Sequence, residues 1–188
     1  MMQTVQTVLR SAVAAIESHN PSRRGHAERV SSFAVAAAHQ IGLKGDELIA
    51  MRCAAALHEI GKFAVSPDIL ESPHPLTEEE LALVRDSTKQ GAHAVRKLLD
   101  SRFHAAADWI EHQYDWAEAA PPTGSRILLV CIAFDVMTIR QPWKQPIDEA
   151  AAIQQLRAGS GTQFDADAVD AFCAVQPLIQ PVLLNEQP

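Results

Sequence analysis

Apolar residues recur every three or four positions along most of the chain, and this spacing predicts α-helices throughout. The first stripe consists of Val5, Val8, Leu9, Ala12, Val13 and Ile16, and the second of Val30, Phe33, Ala34, Ala37 and Ala38. No segment of useful length alternates between apolar and polar residues as a strand would. The pattern therefore predicts one all-α domain of about seven to nine helices.

Capping and helix-breaking residues set the expected boundaries. Asp46 is the predicted N-cap of a third helix that continues to about Ile60, and the capping box Thr77–Glu80 begins a later helix that Gly91 interrupts or bends. The prolines of residues 63–76 exclude a regular helix there. The remaining helices are predicted at residues 26–40, 104–116, 125–138, 147–158 and 165–176.

Length and composition are those of a single globular domain covering residues 1–188, in which residues 1–20 form an N-terminal helix available for dimerisation and residues 177–188 a C-terminal tail. The net charge of −7 argues against a nucleic-acid-binding surface. Three cysteines without a CxxC pair, no secretory signal and no apolar segment of membrane-spanning length predict a soluble cytoplasmic protein with reduced thiols and no membrane contact.

The most informative chemistry is the segment His58-Glu59-Ile60-Gly61-Lys62, which we expect on the inner face of the third helix. Imidazole and carboxylate are metal ligands, and a lysine three residues on can contact a phosphate. The same residues are also explained without a ligand, because His58 and Glu59 can form a buried pair in which Lys62 makes an i,i+3 ion pair with Glu59. The segment alone leaves both interpretations open.

Six short motifs, in order and at matching spacing, resemble those of HD-GYP domains over roughly residues 10–175. They are Gly25-His26-Ala27-Glu28-Arg29-Val30, the 58–62 segment, Leu76-Thr77 with Glu80, Gly124-Ser125-Arg126-Ile127-Leu128, residues 133–138 with Pro142-Trp143-Lys144, and residues 159–165. The resemblance implies an all-α fold. It also implies descent from enzymes that hydrolyse the bacterial messenger cyclic-di-GMP with two or three iron or manganese ions.

Only part of the metal-ligand set implied by this resemblance is present. The residual metal-site candidates are His26, His58, Glu59 and His112, with Glu111 as a doubtful fifth. Hydrolysis by bridged metals needs more ligands than these four. The resemblance therefore implies no resident cofactor, or at most a single weakly held iron or manganese ion.

Three ligand positions of the family hold residues that do not replace the lost ligands. Ser22 and Ser87 stand at two of them, and Ile132 stands where the family has a metal-bridging aspartate. The Gly-Tyr-Pro loop is also absent, since the chain passes from Asp115-Trp116 to Pro121-Pro122. The sequence thus favours a protein that is not an active enzyme.

The positions that the resemblance assigns to nucleotide or phosphate contact are better preserved. Lys62, Asp135 and Lys144 are present, whereas Gln141 replaces an arginine. We therefore expect a catalytically impaired signalling or regulatory module that acts through protein partners, with cyclic-di-GMP as a weak ligand and homodimerisation through the first helix. The alternative is a metal-dependent phosphohydrolase or cyclic-di-GMP phosphodiesterase with altered metal ligands.

Overall fold

Nine α-helices follow one another in the computed structural model, which describes the backbone of residues 2–185 and the side chains of residues 7–179. They are α1 (Met2–His19), α2 (His26–Ile41), α3 (Asp46–Leu57), α4 (Pro67–Leu70), α5 (Glu78–Leu98), α6 (Ala105–Glu111), α7 (Thr123–Thr138), α8 (Glu149–Ala158) and α9 (Ala166–Asn185). The only β-structure between residues 2 and 185 consists of two isolated bridges, and these residues form no strand. The predicted all-α single domain is confirmed.

Helix α7 lies at the centre of the domain, where it packs against α2, α6, α8 and α9. Its residues are apolar on nearly all sides, which is typical of a fully buried helix. Three phenylalanine rings from different helices, Phe33, Phe134 and Phe172, meet here with centroids 4.9–5.6 Å apart. Such tilted and edge-on ring pairs stabilise a core beyond the apolar area that they bury.

Helix α3 begins and ends differently from the sequence prediction. Asp46 is its first residue, and the N-cap is Gly45, with no side-chain cap. The helix ends at Leu57, so that His58 is the C-cap and Ile60–Ala64 forms a separate 3-10 turn. The predicted end at Ile60 was wrong because this turn packs closely against α5, a tertiary contact that helical periodicity does not reveal.

Three further boundaries differ from the prediction. Helix α5 runs through Gly91 without interruption, and α6 ends at Glu111 instead of Trp116. Helix α9 continues to Asn185, past Pro177 and Pro181, so most of the predicted tail is helical. Val175 and Ile179 carry the packed face of α9 past Pro177, which gives the extension a tertiary reason to persist.

The first helix packs within its own domain. Leu9 and Ile16 are buried, and α1 contacts α3 and the 3-10 turn Ile60–Ala64. Of the apolar stripe assigned to dimerisation, Leu9, Ala12, Val13 and Ile16 therefore pack at least partly inside the chain, whereas Val8 is 44% exposed. None of the described helices combines the length and the low polarity that a membrane span requires.

The predicted capping box of α5 is present. The Thr77 hydroxyl accepts a hydrogen bond from the backbone N–H of Glu80, whose carboxylate accepts one from the backbone N–H of Thr77. We expect Thr77→Ala to lower the free energy of unfolding by about 1 kcal/mol, since one helix N–H loses its partner. Chemical denaturation measures this, with Ser101→Ala, in an exposed 3-10 turn, as the control. An equal loss in both variants would contradict the prediction.

Candidate metal centre

Two histidines and a glutamate from separate parts of the chain meet in the interior. His26 is the first residue of α2, while His58 and Glu59 follow α3 directly. One ligand atom of each lies within 4.8 Å of the others, and the three residues are 1%, 3% and 5% exposed. The structure thus brings together three of the four residual metal-site candidates.

The partners of the two imidazoles fix which nitrogen carries the proton. Nδ1 of His58 lies 2.8 Å from the backbone carbonyl oxygen of Ala55, which can only accept, so this nitrogen must donate. Nδ1 of His26 lies 2.7 Å from a carboxylate oxygen of Asp135 and donates in the same way. Each ring therefore presents Nε2 to the other as its remaining nitrogen.

The two Nε2 atoms are only 3.0 Å apart. With both rings neutral, two lone pairs would face each other, so either one proton or one cation must lie between them. Burial, together with the charge of His26, lowers the pKa of His58 to about 3, which keeps this imidazole neutral and able to ligate. Metal–nitrogen bonds of about 2.0–2.1 Å allow both nitrogens to reach the same ion.

Glu59 completes the cluster but also pairs with cations of the chain. Its Oε1 lies 3.9 Å from Nε2 of His26 and 3.7 Å from Nε of Arg23, and it accepts a short hydrogen bond from Nζ of Lys62. Burial alone would raise the pKa of Glu59, but Lys62 and the other nearby positive groups hold it well below its usual value. The i,i+3 ion pair that the sequence allows is therefore present, and Glu59 is ionised.

Asp135 orients a ligand in this structure. It accepts from Nδ1 of His26 and from Nε and Nη2 of Arg29, and the residue is 2% exposed. Burial opposes ionisation of Asp135, but the hydrogen bonds from His26 and Arg29 outweigh it and lower its pKa. A carboxylate that fixes the tautomer of a histidine is the usual support of a metal-ligating imidazole.

The other predicted site residues lie elsewhere or are differently engaged. His112 is the C-cap of α6, its side chain is 45% exposed, and its Nδ1 lies 2.7 Å from Asp115. Glu111 is bound to Arg96. Neither belongs to the group of convergent ligand atoms found among the described residues.

The predicted phosphate contacts of the 141–144 loop are not prepared for an anion. Gln141 is 3% exposed and its amide donates to the carbonyl oxygen of Ile139. Lys144 is exposed, and its backbone pairs with that of Gln141. Of the predicted phosphate-contact residues, Lys62 therefore contacts Glu59, and Asp135 contacts His26 at Nδ1, the ring nitrogen that does not face His58.

Two of the three degenerated ligand positions, Ser87 and Ile132, are buried and cannot supply ligands for a second ion. The hydroxyl of Ser87 donates to the carbonyl oxygen of Val84 in its own helix. Ile132 is 7% exposed and lies one turn before Asp135 on α7, hence on the same face. The donor set thus fits one metal ion, held by His26, His58 and Glu59.

Sequence reasoning missed four residues that complete this centre. Arg23 and Arg29 contact the two carboxylates, and the amide of Gln113 donates to the carbonyl oxygen of His58 at 2.9 Å. Tyr114 interacts electrostatically with Glu59, and burial raises its pKa to about 12. Arg29 follows His26 at i+3, a spacing that could have indicated it; the others depend on tertiary contacts.

A family model described as HD domain matches residues 10–168. The cyclic di-GMP phosphodiesterase response regulator RpfG of Xanthomonas campestris pv. campestris is 30% identical over 84% of this chain and 44% of its own length. A cyclic di-GMP phosphodiesterase of Thermotoga maritima is 26% identical over 86% of this chain and 47% of its own. The chain spans less than half the length of these curated relatives.

Two solved structures share the fold. The cyclic GMP-AMP specific phosphodiesterase V-cGAP3 of V. cholerae superimposes with a TM-score of 0.67 at 18% identity, covering 94% of this chain and 49% of that one. Bd1817, an HDG"Y"P protein from Bdellovibrio bacteriovorus, superimposes with a TM-score of 0.62 at 17% identity, covering 81% of this chain and 51% of that one. At these identities the likeness establishes the helical architecture alone.

Proposed function

The chain belongs to the HD domain family, its resemblance to HD-GYP proteins is confirmed, and on this premise we propose that it is a regulatory module that does not hydrolyse cyclic-di-GMP. The family and the curated relatives support a phosphohydrolase-like domain.

The observation that carries the proposal is the size of the donor set. Three ligand atoms converge, from His26, His58 and Glu59, and the neighbouring positions Ser87 and Ile132 offer a hydroxyl bound elsewhere and a hydrocarbon. A bridged metal pair generates hydroxide and holds both oxygens of a phosphodiester in line. One ion can supply Lewis acidity when bound, but it cannot form the bridge.

The burial of the centre supports the same conclusion. His26, His58, Glu59, Lys62 and Asp135 are each 6% exposed or less. Two clefts of about 430 and 520 Å³ are lined by α1, α2, α3 and α9 and include none of these five residues, whereas a third, which touches Glu59 and Lys62, is too narrow to admit a water molecule. A dinucleotide would have to displace packed side chains before its phosphate could reach the ligands.

We infer that the module signals through protein partners in the cytoplasm and that any binding of cyclic-di-GMP is weak. Lys62, the cation best placed for a phosphate, is already bound to Glu59 and buried. A nucleotide phosphate must compete with this internal carboxylate. Competition of this kind lowers affinity without abolishing it.

Metal analysis combined with a cleavage assay tests the proposed function. We expect protein purified without oxygen, or reconstituted with iron or manganese, to hold at most one ion per chain and to leave cyclic-di-GMP intact. Elemental analysis measures the stoichiometry, and chromatography of the nucleotide measures cleavage. An active cyclic-di-GMP phosphodiesterase serves as the positive control under the same conditions. Two or more ions per chain, together with turnover, would refute the proposal.

The facing Nε2 atoms of His26 and His58 favour a second candidate, a phosphohydrolase that works with a single ion and takes another substrate. Hydrolysis of nucleotides or of a simple phosphomonoester with manganese, abolished by His58→Ala, would select this candidate. If the native chain holds the metal ion but hydrolyses none of these substrates, the regulatory module is the remaining candidate.

A further inference from the structure

The last turn of α1 holds the segment that leads into His26. Oε1 of Glu17 accepts a hydrogen bond of 2.7 Å from the backbone N–H of Gly25, which is the N-cap of α2 and immediately precedes His26. An N–H at this position comes before the helix, so it has no acceptor within α2. Glu17 therefore fixes the residue from which α2, and with it the ring of His26, begins.

The same end of α1 holds the segment that follows Glu59. Nε2 of His19, the last residue of α1, lies 3.1 Å from the carbonyl oxygens of both Lys62 and Val65. Carbonyl oxygens only accept, so this nitrogen carries the proton and is shared between the two. Both carbonyls lie at the C-terminal end of the 3-10 turn Ile60–Ala64, where a histidine side chain is a favourable capping donor.

The end of α1 also covers Glu59. The space between α1 and this glutamate is lined by Ile16, His19 and Phe63, among others, and is too narrow to admit a water molecule. The rings of His19 and Phe63 are in contact, with centroids 5.0 Å apart. Glu59 is 5% exposed as a result. Solvent or a partner can reach Glu59 from this side only when α1 or the turn that carries Phe63 moves.

The rest of α1 is fastened less tightly to the domain. A cleft of about 430 Å³ lies between α1 and the facing surfaces of α2 and α3, and Arg10, Val13 and Ala14 line its α1 side. Among the α1 residues whose side chains are described, Leu9 and Ile16 are the buried ones. A helix with few buried contacts is displaced at a lower free-energy cost than a central helix such as α7.

We propose that α1 is a movable strap on the one-ion centre, and that Glu17 and His19 are the positioning residues that couple α1 to the metal ion. The inference rests on the proposed one-ion centre and states how that centre is regulated. With α1 in place, the segments of His26 and Glu59 are held by the same helix end, so their ligand atoms stay together. A partner protein that draws α1 away removes this common support and releases the ion. Because coupling is reciprocal, a bound ion in turn holds α1 against the domain.

Manganese titration of α1 variants tests the inference, and electron paramagnetic resonance of free Mn²⁺ gives the affinity. His19→Phe keeps an aromatic ring but removes the donor, so we expect manganese binding to weaken about 10-fold, as when a metal ligand loses a supporting contact. His19→Gln, whose amide can still donate to carbonyl oxygens, should restore most of the affinity. Glu17→Ala should weaken binding in the same way, whereas Glu17→Gln keeps an acceptor oxygen and should not.

Hydrogen–deuterium exchange supplies a readout that a merely structural role would not move. Saturating manganese should slow the exchange of the α1 amides in the native chain, and His19→Phe should lose this protection. Ser125→Ala is the matched control, because it also removes a buried side-chain hydrogen bond to a backbone carbonyl, that of Trp109 at 3.0 Å. Ser125 lies in the first turn of α7, at the opposite end from Asp135. This control should lower stability but change neither the affinity nor the protection of α1.

The outcomes separate the strap from the one-ion centre. If manganese binds native chain and His19→Phe equally well and leaves the exchange of α1 unchanged, the strap is overturned and the one-ion centre stands. If manganese does not bind the native chain, both are overturned. Equal losses of affinity in His19→Phe and Ser125→Ala reduce the effect to lost stability and overturn the role of His19. A folded His19→Gln that binds manganese as weakly as His19→Phe overturns donation to the turn carbonyls as the link.

Discussion

Replacing Asp135 with alanine is expected to lower the free energy of unfolding by about 3–5 kcal/mol, the range found when one member of a buried ion pair is removed. Asp135 is 2% exposed and bonds with both Arg29 and His26. Its loss leaves the Arg29 guanidinium without a counterion and the N–H of His26 without an acceptor. The same change should weaken manganese binding about 10–100-fold, because the ring of His26 is no longer oriented.

Denaturant titration and manganese titration measure the two effects. Asp86→Ala is the stability control, because its ion pair with Lys89 is exposed and should matter little. Asp135→Asn keeps the shape of the side chain but removes its charge. Relative to Asp135→Ala, it should restore packing around the residue but not the affinity for manganese. The pKa of Asp135 is lowered in the folded protein. Its stabilising contribution is therefore complete above the unfolded value of about 3.9 and is lost as the pH falls through the lower folded value. Equal effects of Asp135→Ala and Asp86→Ala would contradict this account.

The helices were largely predictable because helical periodicity is a local property. The apolar repeats located α1, α2 and α7, and the capping box located the start of α5. The errors fall where tertiary contacts override local preference. Helix α3 stops at Leu57 because the next turn packs against α5, and α9 passes Pro177 while its apolar face stays packed.

The centre was predictable only in part. The adjacent pair His58-Glu59 and the distant His26 were identified from motif order, and the structure brings them together. The same reasoning placed His112 with them, but α6 ends before it and turns its side chain outward, toward Asp115. Such an outcome depends on the direction of the chain after a helix end, which spacing in sequence does not define.

Apart from the ion pair between Glu59 and Lys62, the electrostatic character of the centre could not be predicted from the sequence. In the sequence, Arg23 is one of several basic residues in a turn. Nothing in the neighbouring residues shows that its guanidinium lies beside Glu59, which follows more than thirty residues later in the chain. Asp135 was expected to contact phosphate, and its hydrogen bond to His26 was not predicted. Both facts change what the centre can do, because they set its net charge and the tautomer of its ligand.

Gly61→Ala is expected to cost about 3 kcal/mol or more, at the upper end of what overpacking usually costs. A β-carbon at this position would lie 1.8 Å from the backbone carbonyl oxygen of Ser87 and 2.9 Å from the backbone nitrogen of Gly91. Both are backbone atoms of α5, so no side chain can rotate away. The turn Ile60–Ala64 would have to move off the helix, and Glu59 and Lys62, on either side of Gly61, would move with it.

Thermal and denaturant unfolding measure the cost of Gly61→Ala, and manganese titration measures the disturbance of the centre. Gly91→Ala is the matched control on the other side of the same contact. Its β-carbon would lie 3.0 Å from the backbone nitrogen of Gly61, a small overlap, and alanine favours a helix over glycine by about 1 kcal/mol. We therefore expect Gly91→Ala to be close to neutral and to bind manganese normally. If both variants were equally stable, the close approach of α5 to the His58–Lys62 segment would not be what positions Glu59.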